Sequence, residues 1–312
     1  MKKNIAAYFI SMRWYCGFIP AMAGLLGMYL IVPEPNLLRQ MAILIIMFAG
    51  WGVNQVVNDY LSLTEDRINA PSRAMVTGTL QVKHAIAISA ILFIIGAIAT
   101  YFLNGYAVVV YVLIFAMNFA YSRFKKIILG NAVYGLLIAL CVYYGALCAG
   151  SSGFAIIWRQ DLAAAAILVW FVNFIFCFFS NFKDAEGDKA AGIRNLVILL
   201  TPNRAKYLSL PFVAILFTLV RFFLLKESLF LAPYSQDIFY GLITLSALIF
   251  VYTAISLIIN PRDNAYHILK WAIIATACFE AALIGLVSPC TAMFLFIFNL
   301  IAINLLFVVY DA

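Results

Sequence analysis

Thirteen acidic side chains are spread over 312 residues, and six of them fall in two short clusters. The first holds Asp59, Glu65 and Asp66; the second holds Asp184, Glu186 and Asp188. In the first, Asn58, Ser62 and Asp66 recur every four residues, the spacing that stacks side chains on one helix face. Asp184 and Asp188 repeat that spacing. Like charges four apart repel and weaken an isolated helix, so the pattern gains chemical sense with a divalent cation between them. Mg²⁺ takes carboxylate and phosphate oxygens in octahedral geometry and keeps several waters. Two such faces turned toward each other would clamp a diphosphate through bridging ions. Carboxylates in a solvated loop can also serve solubility alone, and it is the spacing that speaks against this.

Basic residues accompany both clusters. Arg67 and Arg73 follow the first, Lys183, Lys189 and Arg194 flank the second, and Arg123, Lys125 and Lys126 close an apolar run between them. A departing diphosphate needs its developing negative charge neutralised, which metal ions with Lys or Arg supply. Positive charge at a membrane face accounts for any single one of them equally well, and Arg73 and Lys183 are the first candidates for phosphate contact. A shift of 122 residues lays Ser62 on Asp184 and Asp66 on Asp188, a weak internal repeat relating segments 58–73 and 181–194.

The elements that must carry these groups are set by composition. Sixty-six per cent of the chain is hydrophobic and 11% is charged, against roughly a quarter charged in soluble domains. Apolar runs near 14–32, 39–57, 84–103, 105–121, 129–149, 161–180, 207–225, 236–259, 267–287 and 290–310 approach or reach the ~20 residues that cross a bilayer as a helix. Backbone groups in lipid must be satisfied internally, so these runs are expected to be helices. The expected fold is all-α: a single integral membrane domain over 1–312, with nine or ten transmembrane helices around a central cavity. Ser288-Pro289 divides the last two runs, and the first is too long for a cleavable signal, with no small-residue cleavage site behind it.

The net charge of +7 invites a nucleic-acid partner, but its distribution points to a membrane instead. With the N-terminus inside, the inner segments carry sixteen of the twenty Lys and Arg residues. Only Arg39, Arg159, Arg221 and Lys226 fall outside, whereas Arg262 and Lys270 are among the inner group. That asymmetry follows the positive-inside rule and places the N-terminus and both acidic clusters on the cytoplasmic side. Trp14, Trp158 and Trp271 at span ends fit an interfacial belt. The six cysteines show no metal-ligand spacing and read as small core residues.

The residues then match a known pattern. Asn58-Asp59-Tyr60-Leu61-Ser62-Leu63-Thr64-Glu65-Asp66, followed by Ile68-Asn69-Ala70-Pro71-Ser72-Arg73, resembles the first signature of the UbiA-type prenyltransferases. Asp184-Ala185-Glu186-Gly187-Asp188 with Gly192-Ile193-Arg194 resembles their second, and Tyr121-Ser122 with Gly130-Asn131 resembles the segment between. The resemblance implies a helical bundle whose central cavity opens toward lipid and receives a prenyl diphosphate. It implies that Asn58, Asp59, Asp66, Asp184 and Asp188 organise two or more Mg²⁺ ions on the diphosphate. Asn58, Arg67, Arg73, Lys125, Lys183 and Lys189 are the expected diphosphate contacts. Asp59, Asp66, Asp184, Asp188 and Tyr121 are the expected catalytic set, Tyr121 because an aromatic face stabilises an allylic cation. Three departures stand out: Ser62 replaces the middle Asp of the first signature, the stretch after it reads Arg73-Ala74-Met75-Val76-Thr77-Gly78, and ten runs are counted where family members usually have nine.

The leading expectation is a prenyltransferase with an aromatic or lipid acceptor. A terpene cyclase on the same scaffold, which quenches the cation internally, is the alternative. A transporter is the third: Asn173, Glu280, Asn299 and Asn304 lie inside spans, where polar residues often mark substrate paths. Clustering of the acids at span ends, not at the midplane, favours the enzyme. Glu280 is then a protonated or hydrogen-bonded interior group. His84 and His267 each open a span and read as interfacial residues.

Overall fold

The structure is a computed structural model, and it describes residues 2–150, 153–224, 234–260 and 265–311. Lys226 and Arg262 of the charge pattern lie outside the described residues. In chain order the helices are α1 (Lys2–Ser11), α2 (Phe18–Ile31), α3 (Leu37–Leu61), α4 (Leu63–Asn69) and α5 (Val82–Leu103). There follow α6 (Gly105–Phe124), α7 (Gly130–Ala149), α8 (Gln160–Ser180), α9 (Ala185–Ala190) and α10 (Leu196–Leu200). The chain ends with α11 (Pro202–Ala205), α12 (Ser209–Leu224), α13 (Ser235–Ile259), α14 (Ala265–Gly285) and α15 (Pro289–Asp311).

Each of the ten apolar runs falls on a helix, and among the described residues nine helices are long and apolar enough to cross a bilayer. The N-terminal run differs from the rest. It is a pair of helices bent by 58° between Asn4–Cys16 and Phe18–Ile31, which brings the number of spans among the described residues to ten if the pair is counted as one. Arg13 sits at the bend with φ 48°, a left-handed conformation that a non-glycine residue adopts only when its surroundings hold it there.

α14 is the axis of the bundle, with 89% of its membrane window buried, and α5 is peripheral, with 11% buried. α14 packs on α2, α8, α13 and α15, while α7 lies between α2, α6 and α8. Small residues set the closest approach. A Cβ on Gly27 would strike the carbonyl of Val142, and one on Gly145 would strike that of Gly24. The α2–α7 seam is therefore backbone against backbone, the close packing that glycines permit in membranes. Trp14 stacks on Phe48 at 5.1 Å between centroids. Trp158 is exposed, and His267 hydrogen-bonds the Tyr252 hydroxyl at 3.0 Å.

Candidate active site

The two acidic segments are built alike. α3 stops at Leu61, Ser62 breaks it with φ −112° and ψ 20°, and α4 restarts at Leu63. The helical bonding carries on across the break: the Ser62 N–H donates to the Asn58 carbonyl and the Asp66 N–H to the Ser62 carbonyl, both at 2.9 Å. Asn58, Ser62 and Asp66 therefore stay stacked as their spacing implies, although the helix is not continuous. In the second segment α8 ends at Ser180 and Asp184 opens α9, with the Asp188 N–H donating to the Asp184 carbonyl at 2.8 Å. α4 packs against α9, so the two acidic faces meet.

They meet on a cavity of about 140 Å³. Asn58, Ser62, Glu65, Asp66, Arg73, Tyr121, Lys125, Lys183, Asp184 and Asp188 all line it. Asp59 does not: it points into an adjoining cavity of about 370 Å³, whose wall shares Arg13, Asn69, Arg73, Lys183 and Asp184 with the first. Two of the expected diphosphate contacts stand apart from the central cavity. Arg67 and Lys189 are exposed and outside the central cavity; Lys189 lines a groove on the far side of α9. Consecutive helical residues are rotated by about 100°, so the neighbours following Asp66 and Asp188 turn away when those acids face inward.

Most of the acids already have partners. Arg73 bridges Asp59 at 3.2 Å and Asp66, and Arg13 makes a second ion pair to Asp59. Asp184 accepts from Lys183 through both oxygens at 2.8 Å. Asp188 accepts from two amides, Asn69 at 3.0 Å and Asn195 at 2.9 Å. Glu65, which lines the same cavity beside Ser62, pairs with Lys126 at 2.8 Å. Ser62 itself donates to the Asn58 carbonyl at 2.6 Å.

Burial and the nearby Asp184 push the Asp188 carboxyl up to about 6, against the opposing pull of Asn69, Lys125 and Lys183. Burial also raises Asp66, although Arg73 opposes it. For Glu65 burial acts upward, but the hydrogen bond from Lys126, a backbone hydrogen bond and the charges of Lys125 and Lys126 together hold it below the usual range. Burial lowers Lys125, against the pull of Glu65, Asp66 and Asp188. The common cause is a polar cavity sunk among apolar helices, where charge is stable only beside opposite charge or a ligand.

Arg13, Gln55, Asn69 and Asn195 are site residues that the acidic pattern alone did not single out. Gln55 lies three residues before Asn58, on the same face of α3, and accepts from Arg13 at 3.2 Å. Asn69 stands within the first signature segment, and Asn195 follows the second directly after Arg194. Gly187 makes room for the first of them, since a Cβ there would overlap the Asn69 amide.

The donor set fits a hard cation. The Asn58 Oδ1 is buried with no hydrogen-bond partner among the described residues, and it lines the same cavity as the carboxylates of Asp66, Asp184 and Asp188. Oxygen donors from amides and carboxylates are what Mg²⁺ takes. The interior polar residues make a different arrangement. Asn173 donates to Glu280 at 3.1 Å across α8 and α14, and Asn304 to the Leu300 carbonyl at 2.6 Å within α15. Glu280 is thus a hydrogen-bonded interior carboxyl.

Comparison with known proteins follows the same lines. The sequence profile of the UbiA prenyltransferase family matches residues 17–274. A digeranylgeranylglyceryl phosphate synthase of Thermococcus kodakarensis is 29% identical over 199 residues, which cover 62% of this chain and 68% of that protein. The fold is shared with a UbiA homologue of Archaeoglobus fulgidus bound to DMAPP and Mg²⁺, at 20% identity and TM-score 0.68, over 90% of this chain and 98% of that one. It is shared equally with a UbiA homologue of Aeropyrum pernix, at 19% identity and TM-score 0.71, over 88% and 98% of the two chains. With its profile matched over most of its length and its two acidic segments closing on one cavity, this chain belongs to the UbiA prenyltransferase family and is a membrane prenyltransferase.

Proposed function

We propose that the chain transfers a prenyl group from a prenyl diphosphate to a lipid acceptor of the glyceryl phosphate kind, on the cytoplasmic side of the membrane. The observation that carries this reading is the pair of adjoining cavities with one cationic wall. Arg13, Arg73 and Lys183 line both, so two phosphate-bearing groups can lie on opposite sides of the same charges. The outer cavity also carries Ala7, Ile10 and Phe307, from the first and last helices, which suit a lipid chain. The curated relative from Thermococcus kodakarensis is named for a product with two geranylgeranyl groups on glyceryl phosphate, and that name supports the same acceptor class.

In this reading Asn58, Asp66, Asp184 and Asp188 hold Mg²⁺ as two or more ions on the diphosphate. Bound there, the metal supplies Lewis-acid stabilisation of the leaving group. Lys125 and Lys183 add positive charge where the diphosphate charge develops. Asp59, paired with Arg13 and Arg73, orders those two guanidiniums instead of binding metal. Tyr121 lines the same cavity, and we assign its ring to steadying the positive charge that develops on the allylic carbon. We read the two helix–break–short-helix units as copies, each giving one acidic face.

The test is an incubation of purified protein with geranylgeranyl diphosphate and geranylgeranylglyceryl phosphate, with and without Mg²⁺, followed by mass spectrometry. A doubly prenylated glyceryl phosphate that needs metal, and is lost in Asp184→Ala and Asp188→Ala, is the expected product. A cyclic hydrocarbon or terpene alcohol formed without acceptor would make the chain a cyclase and overturn the acceptor reading.

A further inference from the structure

Asn131, in the first turn of α7, is only 1% exposed. Its amide nitrogen donates to the Phe174 carbonyl of α8 at 3.4 Å, and its oxygen accepts from the Asn181 amide nitrogen at 3.2 Å. Asn181 is half-buried where α8 ends and lines the central cavity together with Asp184 and Asp188. The three stand at steps of three and four residues.

The polarity of this relay is fixed at its far end. A backbone carbonyl only accepts, so the Asn131 NH₂ must face Phe174 and its oxygen must face Asn181. Asn181 must then turn its own NH₂ toward Asn131. Turning either amide over would set like groups against each other at a buried residue, where unpaired polar atoms are costly. The Asn181 oxygen is what remains for the cavity. It accepts no hydrogen bond among the described residues and keeps accessible surface. An ionised diphosphate carries no donor, so this oxygen suits the cation that accompanies it. Neutral amide oxygens are among the ligands that hard divalent cations take.

We propose that Asn181 is a further oxygen ligand of the Mg²⁺ held by Asp184 and Asp188, with Asn131 as the positioning residue that turns it. This inference rests on the metal reading given above. Each acidic face then contributes one amide oxygen beside its carboxylates, Asn58 on the first and Asn181 on the second.

The test measures Mn²⁺ binding to the purified full chain in detergent, without substrate, from the paramagnetic resonance of free Mn²⁺. Asn181→Ala is expected to raise the Mn²⁺ Kd by about tenfold, the usual cost of disturbing the groups around a metal. Asn131→Ala leaves the ligand in place but free to turn, and is expected to raise it by about three- to tenfold. The double variant should bind Mn²⁺ no worse than Asn181→Ala alone, because Asn131 acts only through Asn181. An unchanged Kd in Asn181→Ala overturns the ligand. An unchanged Kd in Asn131→Ala, or full additivity in the double variant, overturns the positioning role. Asn131→Ser repeats the comparison with a milder cut where Asn131→Ala does not fold. Wild type that binds no Mn²⁺ overturns the metal reading and this inference together; wild type that binds it, with Asn181→Ala insensitive and Asp184→Ala impaired, overturns the inference alone.

Discussion

Replacing Gly187 with Ala adds one methyl group at the point where α4 and α9 touch. The Asn69 amide occupies the space that methyl would take, so Asn69 must swing away and release Asp188, which it holds at 3.0 Å. A hydrogen bond to a charged group is worth roughly 1.5–3 kcal/mol, or about one to two pKa units at 1.36 kcal/mol each. A bond to the ionised form lowers a carboxyl pKa, so its loss raises it. Asp188 stands at about 6 with the bond in place and would move to about 7–8 without it. Metal binding needs the carboxylate, so at pH 7 the Mg²⁺ concentration for half-maximal activity should rise about two- to tenfold. The deficit should shrink above pH 8, where the shifted group ionises again. The assay is a Mg²⁺ titration of prenyl transfer at several pH values, with Asn69→Ala beside it. Both substitutions remove the same bond, so their effects should fail to add in the double variant. An unchanged Mg²⁺ requirement in Gly187→Ala, or full additivity with Asn69→Ala, would refute the reasoning.

Other expectations follow from the same geometry. Arg67→Ala and Lys189→Ala should leave the KM for prenyl diphosphate within about twofold, because both side chains are exposed and outside the cavity; a loss of tenfold or more would put them back in the site. Lys126→Met should cost activity modestly, since Lys126 is half exposed in its pair with Glu65 and such pairs are worth about 1 kcal/mol or less. The swap Glu65→Lys with Lys126→Glu should restore part of it, and failure of the swap to improve on either single change would deny the pair a role. Glu280→Gln should preserve both fold and transfer because an amide can still accept from Asn173, whereas Glu280→Leu should lower the melting temperature by removing one of the two acceptors of the Asn173 amide and leaving only the Val169 carbonyl. Loss of transfer in Glu280→Gln with an unchanged fold would give Glu280 a chemical role.

Hydropathy made the bundle legible because lipid leaves the backbone no option but helix, and all ten apolar runs returned as helical elements. The acids were legible because spacing of four survives even a break: Ser62 interrupts the helix without losing its bonds to Asn58 and Asp66. Partner identity was not. Arg13 reaches Asp59 over 46 positions, and Asn69 reaches Asp188 over 119; contacts of that range exist only once the bundle has assembled. The exposure of Arg67 and Lys189 has a simpler origin. Adjacency in sequence was taken as adjacency in space, and a helix turns the next residue away by about 100°.

The glycine seam between α2 and α7 bears on how the chain is made. Gly24 and Gly27 emerge from the ribosome more than a hundred residues ahead of Val142 and Gly145, against whose backbone they must press. The first span therefore enters the bilayer without its tightest neighbour and waits while α3, α5 and α6 are synthesised and inserted. During that interval its small-residue face is open to any other helix carrying a similar face, including one from a second nascent copy. α7 closes that face when it packs on α2, and the glycines that let the two backbones meet leave no room there for a bulkier neighbour.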